Sequence, residues 1–478
     1  MITKNDLKFY IDGTWVEPFT KKSLDVINPA TESPMGQISL GGKADVDRAV
    51  AAAKQAFKTY SLTSVEERIH WMEQILKGYK ARWSEMAEAI SKEMGAPKTL
   101  ATGSQTGAGY GNFSAALEAL KSFEFEKKLG NTQIIHEAIG VCGLITPWNW
   151  PINQVTNKVG PAIACGCTMI LKPSEIAPFD AMIMAEIIDE SDLPKGVFNL
   201  VNGDGPTVGE AMSAHPDIDM MSFTGSTRAG SAVATASAPT VKRVAQELGG
   251  KSPNIILDDA DLPRAIKKSV MTMMQNTGQS CNAPSRLLVP EASLSEVKAL
   301  ALSVVETMTI GSPEDEAVFM GPAVSDLQWR KIQGLIQKGI DEGAELICGG
   351  VGKPQGLETG YYVKPTIFVG VTNDMTIARE EIFGPVLAIM TYSDVAEAIA
   401  IANDTDYGLS AYIYSSNRER ANAVSRQLRA GNIHINGNWG TEATPFGGFK
   451  QSGNGREGGV FGFDDYLEIK AAMGYHDA

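Results

Sequence analysis

From Ile139 onward the chain repeats one pattern, a short apolar run followed by a helical segment and then another apolar run. The first runs are Ile139 to Thr146, Thr168 to Leu171, Val197 to Val201 and Asp219 to Phe223. Strands buried on both faces read as continuous apolar stretches, and parallel neighbours need a crossover helix between them. The alternation therefore predicts βαβ units and a parallel sheet. A second series begins near Pro253, with strand candidates Asn254 to Leu257, Arg286 to Val289, Val386 to Tyr392, Leu409 to Tyr414 and Asn432 to Ile435. Two α/β domains are expected, and 478 residues leave room for two to four domains of about 100–200 residues each.

The first hundred residues read as helix-rich. Val46, Ala49, Val50, Ala53 and Phe57 recur at steps of three and four, which puts them on one helix face. Ser64 and Glu67 have capping-box spacing and open a second helix predicted to run through Ile69, Met72, Leu76, Trp83 and Ile90. Two segments fit neither domain. Ser122 to Lys127 and Thr132 to Glu137 form a predicted hairpin around Gly130-Asn131, and the strand-like tail Asp465 to Met473 is expected to pair with an exposed edge, in its own subunit or a neighbour's.

Charge and composition exclude several classes. Lys and Arg number 42 against 56 Asp and Glu, a net charge of −14, which argues against non-specific binding to nucleic acid or an acidic membrane surface. Apolar stretches are interrupted well short of the roughly eighteen residues that a span needs. The amino terminus lacks a signal-peptide core. Five cysteines, Cys142, Cys165, Cys167, Cys281 and Cys348, form an odd set without paired spacing, which suits free thiols in a reducing cytoplasm. No metal site is expected, because Cys165 and Cys167 have no neighbouring His or Cys and read as small core residues.

Several residues are candidates for chemistry. Cys281 lies in the small polar loop Asn276 to Ala283, after a helix that Asp261 can cap, where a thiol can reach a substrate or simply be structural. Glu247 ends a probable strand before two glycines and is read either as a solvated strand end or as a base. Asn149 precedes Pro151 and either caps the helix that starts there or donates to an oxyanion. Gly203 to Gly209 follows a strand and opens a helix, but misses the usual dinucleotide glycine spacing by one residue. Gly225 to Gly230 has a P-loop gap without its lysine, so ATP binding is rejected there. The five histidines are scattered, and none lies in a segment suggesting a Cys–His pair.

Taken in order, these pieces resemble the aldehyde dehydrogenase superfamily over nearly the whole chain. The matching motifs are Thr146 to Pro151, Lys172 to Glu175, Phe223 to Ser226, Glu247 to Pro253, Gly278 to Cys281, Glu381 to Val386 and Pro445 to Lys450. The resemblance implies an α/β fold with a Rossmann-like cofactor-binding domain (1–118 and 139–249), a second α/β catalytic domain (250–445) and a small β oligomerisation segment (119–138 and 446–478). It implies an enzyme acting on a small-molecule aldehyde with NAD as cofactor, and the unpaired edges of the hairpin Ser122 to Glu137 and the tail Asp465 to Met473 predict that both are buried between subunits of a homodimer or homotetramer. Cys281 is then the nucleophile, Asn149 and the Cys281 backbone N–H hold the alkoxide, and Glu247 activates the water that hydrolyses the thioester.

For the cofactor, the resemblance assigns Lys172 and Glu175 to the adenosine ribose, Ser226 to the pyrophosphate, and Glu381 with Phe383 to the nicotinamide ribose. Thr146, Pro147, Trp148, Ser174, Gly205, Phe223, Thr224, Gly225, Leu248 and Gly249 complete the expected cofactor contacts. Glu175 would repel a 2′-phosphate, which favours NAD, and Lys172 softens the bias so that NADP remains the weaker alternative. Two departures from the family pattern stand out. Asn157 replaces a common tryptophan and, with Asn153 nearby, predicts a wider and more polar substrate tunnel. Val460 stands where many members carry a second, proton-relaying glutamate after Gly-Arg-Glu. Glu247 is therefore expected to lack a carboxylate neighbour, to ionise at lower pH than in members carrying the pair, and to lose its proton by a route near Lys158. The competing readings are a CoA-acylating relative, against which Glu247 argues, and a cysteine esterase.

Overall fold

A computed structural model describes residues 3–477. The first sheet has eight strands, and five of them, Arg243–Glu247, Met220–Thr224, Val141–Ile145, Thr168–Lys172 and Phe198–Leu200, lie side by side in that order and run parallel. In chain order this is fifth, fourth, first, second, third. The winding reverses between Val141–Ile145 and Met220–Thr224, and a crevice opens beyond the carboxyl ends of strands at such a reversal. Three short antiparallel strands extend the sheet: Gly453–Asn454 beside Arg243–Glu247, and Phe9–Ile11 with Thr14–Val16 at the far edge. The second sheet has seven strands. Pro253–Ile256 is flanked on one side by Arg286–Pro290, Val386–Tyr392 and Thr366–Val369, and on the other by Ser410–Tyr414 and Asn432–Ile435, all parallel; Glu345–Cys348 closes one edge antiparallel.

Every strand expected from the apolar runs is present, and Val386–Tyr392 and Asn432–Ile435 have the expected ends. The amino-terminal reading is incomplete. Four strands, Phe9–Ile11, Thr14–Val16, Ser23–Asn28 and Ser33–Ser39, precede the first helix, and they are short or largely exposed, so no apolar run marks them. The helix Lys43–Tyr60 buries Val46, Ala49, Val50 and Ala53 as expected. Ser64 and Glu67 form the capping box of Val65–Ala81. That helix stops at Arg82, however, and Trp83–Met94 is a separate helix. Arg82 leaves helical geometry with ψ +19° while its guanidinium bridges Glu85 and Glu186.

The hairpin is Glu126–Leu129 with Thr132–Ala138, and the tail strand Leu467–Ala472 pairs antiparallel with Thr132–Ala138 in the same chain. Ser122 belongs instead to the preceding helix Thr106–Ser122. Cys165 and Cys167 fill the core beneath the first sheet.

Candidate active site

The carboxyl edge of the first sheet faces the amino-terminal edge of the second, and the backbone crosses between them at Glu247-Leu248-Gly249-Gly250. Two of these glycines exist for close approach. A Cβ on Gly249 would overlap the Glu381 carboxylate, and one on Gly250 would overlap the carbonyl oxygen of Cys281. The strand end that carries Glu247 is thereby drawn against the loop that carries Cys281.

That loop is strained and heavily tied. Asn276, Thr277 and Gly278 are consecutive left-handed residues at φ +54°, +57° and +68°, and non-glycine residues in this region cost of the order of 1–3 kcal/mol each. A network holds them. Gln105 Nε2 donates to Asn276 Oδ1 (3.1 Å), Asn276 Nδ2 to Asn149 O (2.9 Å), Thr277 Oγ1 to Gly321 O (2.9 Å) and the Val324 N–H to Gln279 Oε1 (2.9 Å). Asn149 Nδ2 donates to Gln279 O at 3.2 Å, which fixes the buried amide (3 % exposed) beside the Cys281 loop with its second N–H uncommitted. Asn149 does not cap the next helix: Trp150 is the N-cap of Pro151–Cys165, with no side-chain cap. Trp150 Nε1 donates to Ser280 Oγ at 2.9 Å and ties the same loop from the other side. Asp261 caps the helix leading into the loop, as expected.

Cys281 stands in the wall between two cavities. One, of about 360 Å³, is lined by Asn112, Trp150, Asn153, Gln154, Asn157, His434, Trp439, Glu442 and Glu457, among others. The other, of about 180 Å³, is lined by Pro147, Trp148, Asn149, Thr224, Gly225, Ser226, Leu248, Gly249, Glu381 and Phe383, with Gln328 and Lys331, which the sequence did not single out. Phe383, itself left-handed at φ +57°, meets Trp148 edge to face at 5.3 Å. Ser226 caps the helix Thr227–Ser237 at the reversal of the first sheet, where free amides and the helix dipole favour an anion.

The remaining cofactor candidates lie outside this second cavity. Lys172 and Glu175 pair at 3.1 Å. Thr146 donates its N–H to Lys172 O (3.2 Å), and Ser174 Oγ accepts from the Ile176 N–H (3.3 Å). Gly205 begins the turn capped by Asp204 with open space around its Cα, and Phe223 is a buried strand residue.

Glu247 is buried (5 % exposed), not a solvated strand end, because Gly453–Asn454 pairs over its strand. Neither carboxylate oxygen has a hydrogen-bond partner among the described residues. Burial holds its pKa well above the usual range, and Glu457 pushes in the same direction, while Lys158 and Arg456 oppose. The expectation that Glu247 lacks a carboxylate neighbour is therefore wrong. The neighbour is Glu457, the glutamate of Gly-Arg-Glu itself, whereas Val460 is 43 % exposed. Glu457 accepts from Lys158 Nζ at 2.6 Å, and Lys158 also donates to Ser222 Oγ at 3.0 Å. Glu247, Lys158 and Glu457 share a small internal cleft, and Glu457 also reaches the larger cavity. Burial raises the Cys281 thiol pKa, and the carboxylates of Glu381 and Glu247 add to the effect.

A partly exposed thiol borders both cavities, with the buried Asn149 amide lining the smaller one and the buried Glu247 carboxylate in the adjoining cleft, and this arrangement suits acyl chemistry on a sulfur. Residues 15–472 match the family model described as Aldehyde dehydrogenase family, and the chain belongs to that family. It is 57% identical over 469 residues (98% of each chain) to a 3-succinoylsemialdehyde-pyridine dehydrogenase of a Pseudomonas species. Among solved structures it superposes with TM-score 0.98 and 50% identity on a variant of aldehyde dehydrogenase C from Pseudomonas syringae in complex with NAD+ and octanal, covering 99% of this chain and 98% of that one. It superposes with TM-score 0.95 and 36% identity on the NAD+ complex of an aldehyde dehydrogenase from Bacillus cereus, covering 98% and 96%.

Proposed function

We propose that the chain oxidises an aldehyde to a carboxylic acid with NAD, through a thioester on Cys281 hydrolysed by water that Glu247 activates. The observation that carries this reading is that Cys281 belongs to both cavities, so a carbonyl in the larger one and a cofactor in the smaller one would meet at its sulfur. The smaller cavity suits the nicotinamide end. Gly225 and Gly249 leave its walls bare of side chains, the Trp148–Phe383 pair gives it a flat aromatic flank, and Glu381, anchored by the Gly250 N–H at 3.0 Å, offers an acceptor for ribose hydroxyls. NAD supplies the hydride acceptor. Ser226 at its helix N-terminus would meet the pyrophosphate. Glu175 would accept from the adenosine ribose hydroxyls and disfavour a 2′-phosphate, with NADP the weaker alternative.

On the protein side, the Cys281 thiol gives its proton to the Glu247 carboxylate as sulfur attacks the carbonyl carbon. The second N–H of the Asn149 amide and the Cys281 backbone N–H hold the alkoxide of the thiohemiacetal. Once the thioester has formed and Glu247 has given up the thiol's proton toward Glu457, it takes a proton from water, whose oxygen attacks the acyl carbon and releases the acid together with the Cys281 thiolate. Burial and the Glu457 charge, which raise the Glu247 pKa, make it a stronger base for this step. Lys158 and Glu457 form its proton exit.

The division assigns 1–118 with 139–249 to the cofactor and 250–445 to the nucleophile, while Gly453–Asn454 of the carboxyl-terminal segment extends the first sheet. The three-stranded sheet with its exposed Leu129, Ile469 and Met473 is the assembly surface for a dimer or a pair of dimers. The five free thiols suit the reducing cytoplasm. The test is reduction of NAD by purified protein given octanal, with Cys281→Ala as control. Equal activity in the control would refute the reading.

A further inference from the structure

The larger cavity carries a charge pattern that aldehyde oxidation does not require. Among the described residues its only charged walls are Glu442 and Glu457, with no lysine or arginine. Glu457 is balanced by Lys158 behind it at 2.6 Å, whereas Glu442 has no ion-pair partner among the described residues. Glu442 is exposed to solvent where it lines the cavity, so its charge acts at partly screened range. Gly111 of the helix Thr106–Ser122 lacks a Cβ where one would stand 2.8 Å from Glu442 Cγ. The carboxylate therefore lies along the helix that also contributes Ser104's neighbour Ala108 and Asn112 to the cavity wall.

The rest of the lining is uncharged, mixing amide side chains with Ala108, Trp150, Ala283, Trp439 and Phe446. Asn112 Nδ2, a donor, and Gln154 Oε1, an acceptor, have no hydrogen-bond partner among the described residues, although their side chains are only 9 % and 6 % exposed. Asn112, Asn153, Gln154 and Asn157 give this wall uncharged hydrogen-bonding groups. His434, stacked on Tyr412 at 4.5 Å, adds no positive charge, since burial lowers its pKa by more than the Asn438 carbonyl oxygen, 3.1 Å from Nδ1, raises it.

We propose that this cavity selects an uncharged or cationic aldehyde bearing a hydrogen-bonding group and rejects a carboxylate-bearing one, with Glu442 as the specificity-determining residue. The inference rests on the aldehyde-oxidising reading above. A carboxylate tail entering the cavity would leave water without finding a cation and would meet Glu442 as a like charge, so both costs stand uncompensated. A primary amide tail of the same length carries no charge, meets neither cost, and can bond with the uncharged amide side chains of the lining.

The experiment compares kcat/KM for 4-oxobutanoate, 4-oxobutanamide, pentanal and 4-trimethylammoniobutanal in the parent, Glu442→Gln, Glu442→Arg and Gly111→Ala proteins, at low and high salt. The parent should favour the amide and the cation over the carboxylate by about tenfold or more, mainly through KM. Glu442→Gln should narrow the amide-to-carboxylate ratio by about threefold to tenfold, as expected for one charge at partly screened range. Glu442→Arg should invert the ranking, and added salt should shrink both effects. Gly111→Ala keeps the charge but displaces it, and should narrow the ratio as well. A parent that accepts the carboxylate as readily as the amide, or a ratio indifferent to Glu442→Arg, overturns the proposal. If no aldehyde in the set, octanal included, reduces NAD, the underlying reading fails instead.

Discussion

Replacing Gly250 with alanine tests whether the crossing backbone positions the nucleophile. The added Cβ falls well inside 3.0 Å of the Cys281 carbonyl oxygen and 3.3 Å from Leu409 Cβ. The Leu409 contact is tight but tolerable, whereas the carbonyl is backbone and part of the loop tied by Asn276, Thr277 and Gln279. That loop must therefore retreat by of the order of half an ångström to one ångström, and a misplacement of about 1 Å at a reacting group costs roughly 100-fold in rate. The expected loss in kcat is about 10- to 100-fold, equivalent to roughly 1.4–2.7 kcal/mol of barrier. It should fall on acylation, so rapid-mixing kinetics should show a slowed burst of reduced nicotinamide. Gly249→Ala is the matched control, because its Cβ meets the mobile end of Glu381 and should act mainly on the KM for NAD. A folded Gly250→Ala protein whose burst rate stays within about threefold of the parent would refute the positioning argument, since such a displacement cannot be rate-neutral.

Asn149→Ala should lower kcat/KM by about 100- to 1000-fold with little change in melting temperature, the scale for losing an oxyanion donor. Retention of parent activity would remove it from that role. Glu457→Gln deletes the charge that raises the Glu247 pKa and frees Lys158 to lower it further. The carboxylate form of Glu247 then persists to lower pH, so the acid limb of kcat should move downward where deacylation limits the rate, and an upward or absent shift in the pH profile would contradict this. Glu175→Gln should raise kcat/KM with NADP relative to NAD by removing like-charge repulsion, measured as a ratio of the two cofactors. Ile469→Asp, on the exposed face of the tail strand, should shift the protein to monomer by light scattering, because an unpaired charge in an assembly interface is strongly unfavourable.

The sequence by itself determined the two parallel sheets, because buried strands such as Val141–Ile145 and Val386–Tyr392 must be largely apolar on both faces and bounded by breakers. It also marked the candidates for chemistry. Cys281, Asn149 and Glu247 stand in short motifs, and Gly250 after Glu247 lets that stretch of backbone approach the Cys281 carbonyl. It did not reveal the four amino-terminal strands, which are short or solvated edges without an apolar signature, nor the break at Arg82, which a guanidinium bridging Glu85 and Glu186 makes through tertiary contact.

The identity of the second carboxylate was decided by tertiary structure alone. Gly455, Gly458 and Gly459 all take positive φ, at +78°, +97° and +48°, so neither helical nor strand periodicity predicts which side chain of this segment turns inward. Counting residues pointed to Val460, whereas the folded backbone brings in Glu457. The burial of Glu247 has the same origin. The strand that covers it, Gly453–Asn454, arrives from about two hundred residues away, and a carboxylate's solvation, and hence its basicity, is set by neighbours that only the fold assembles.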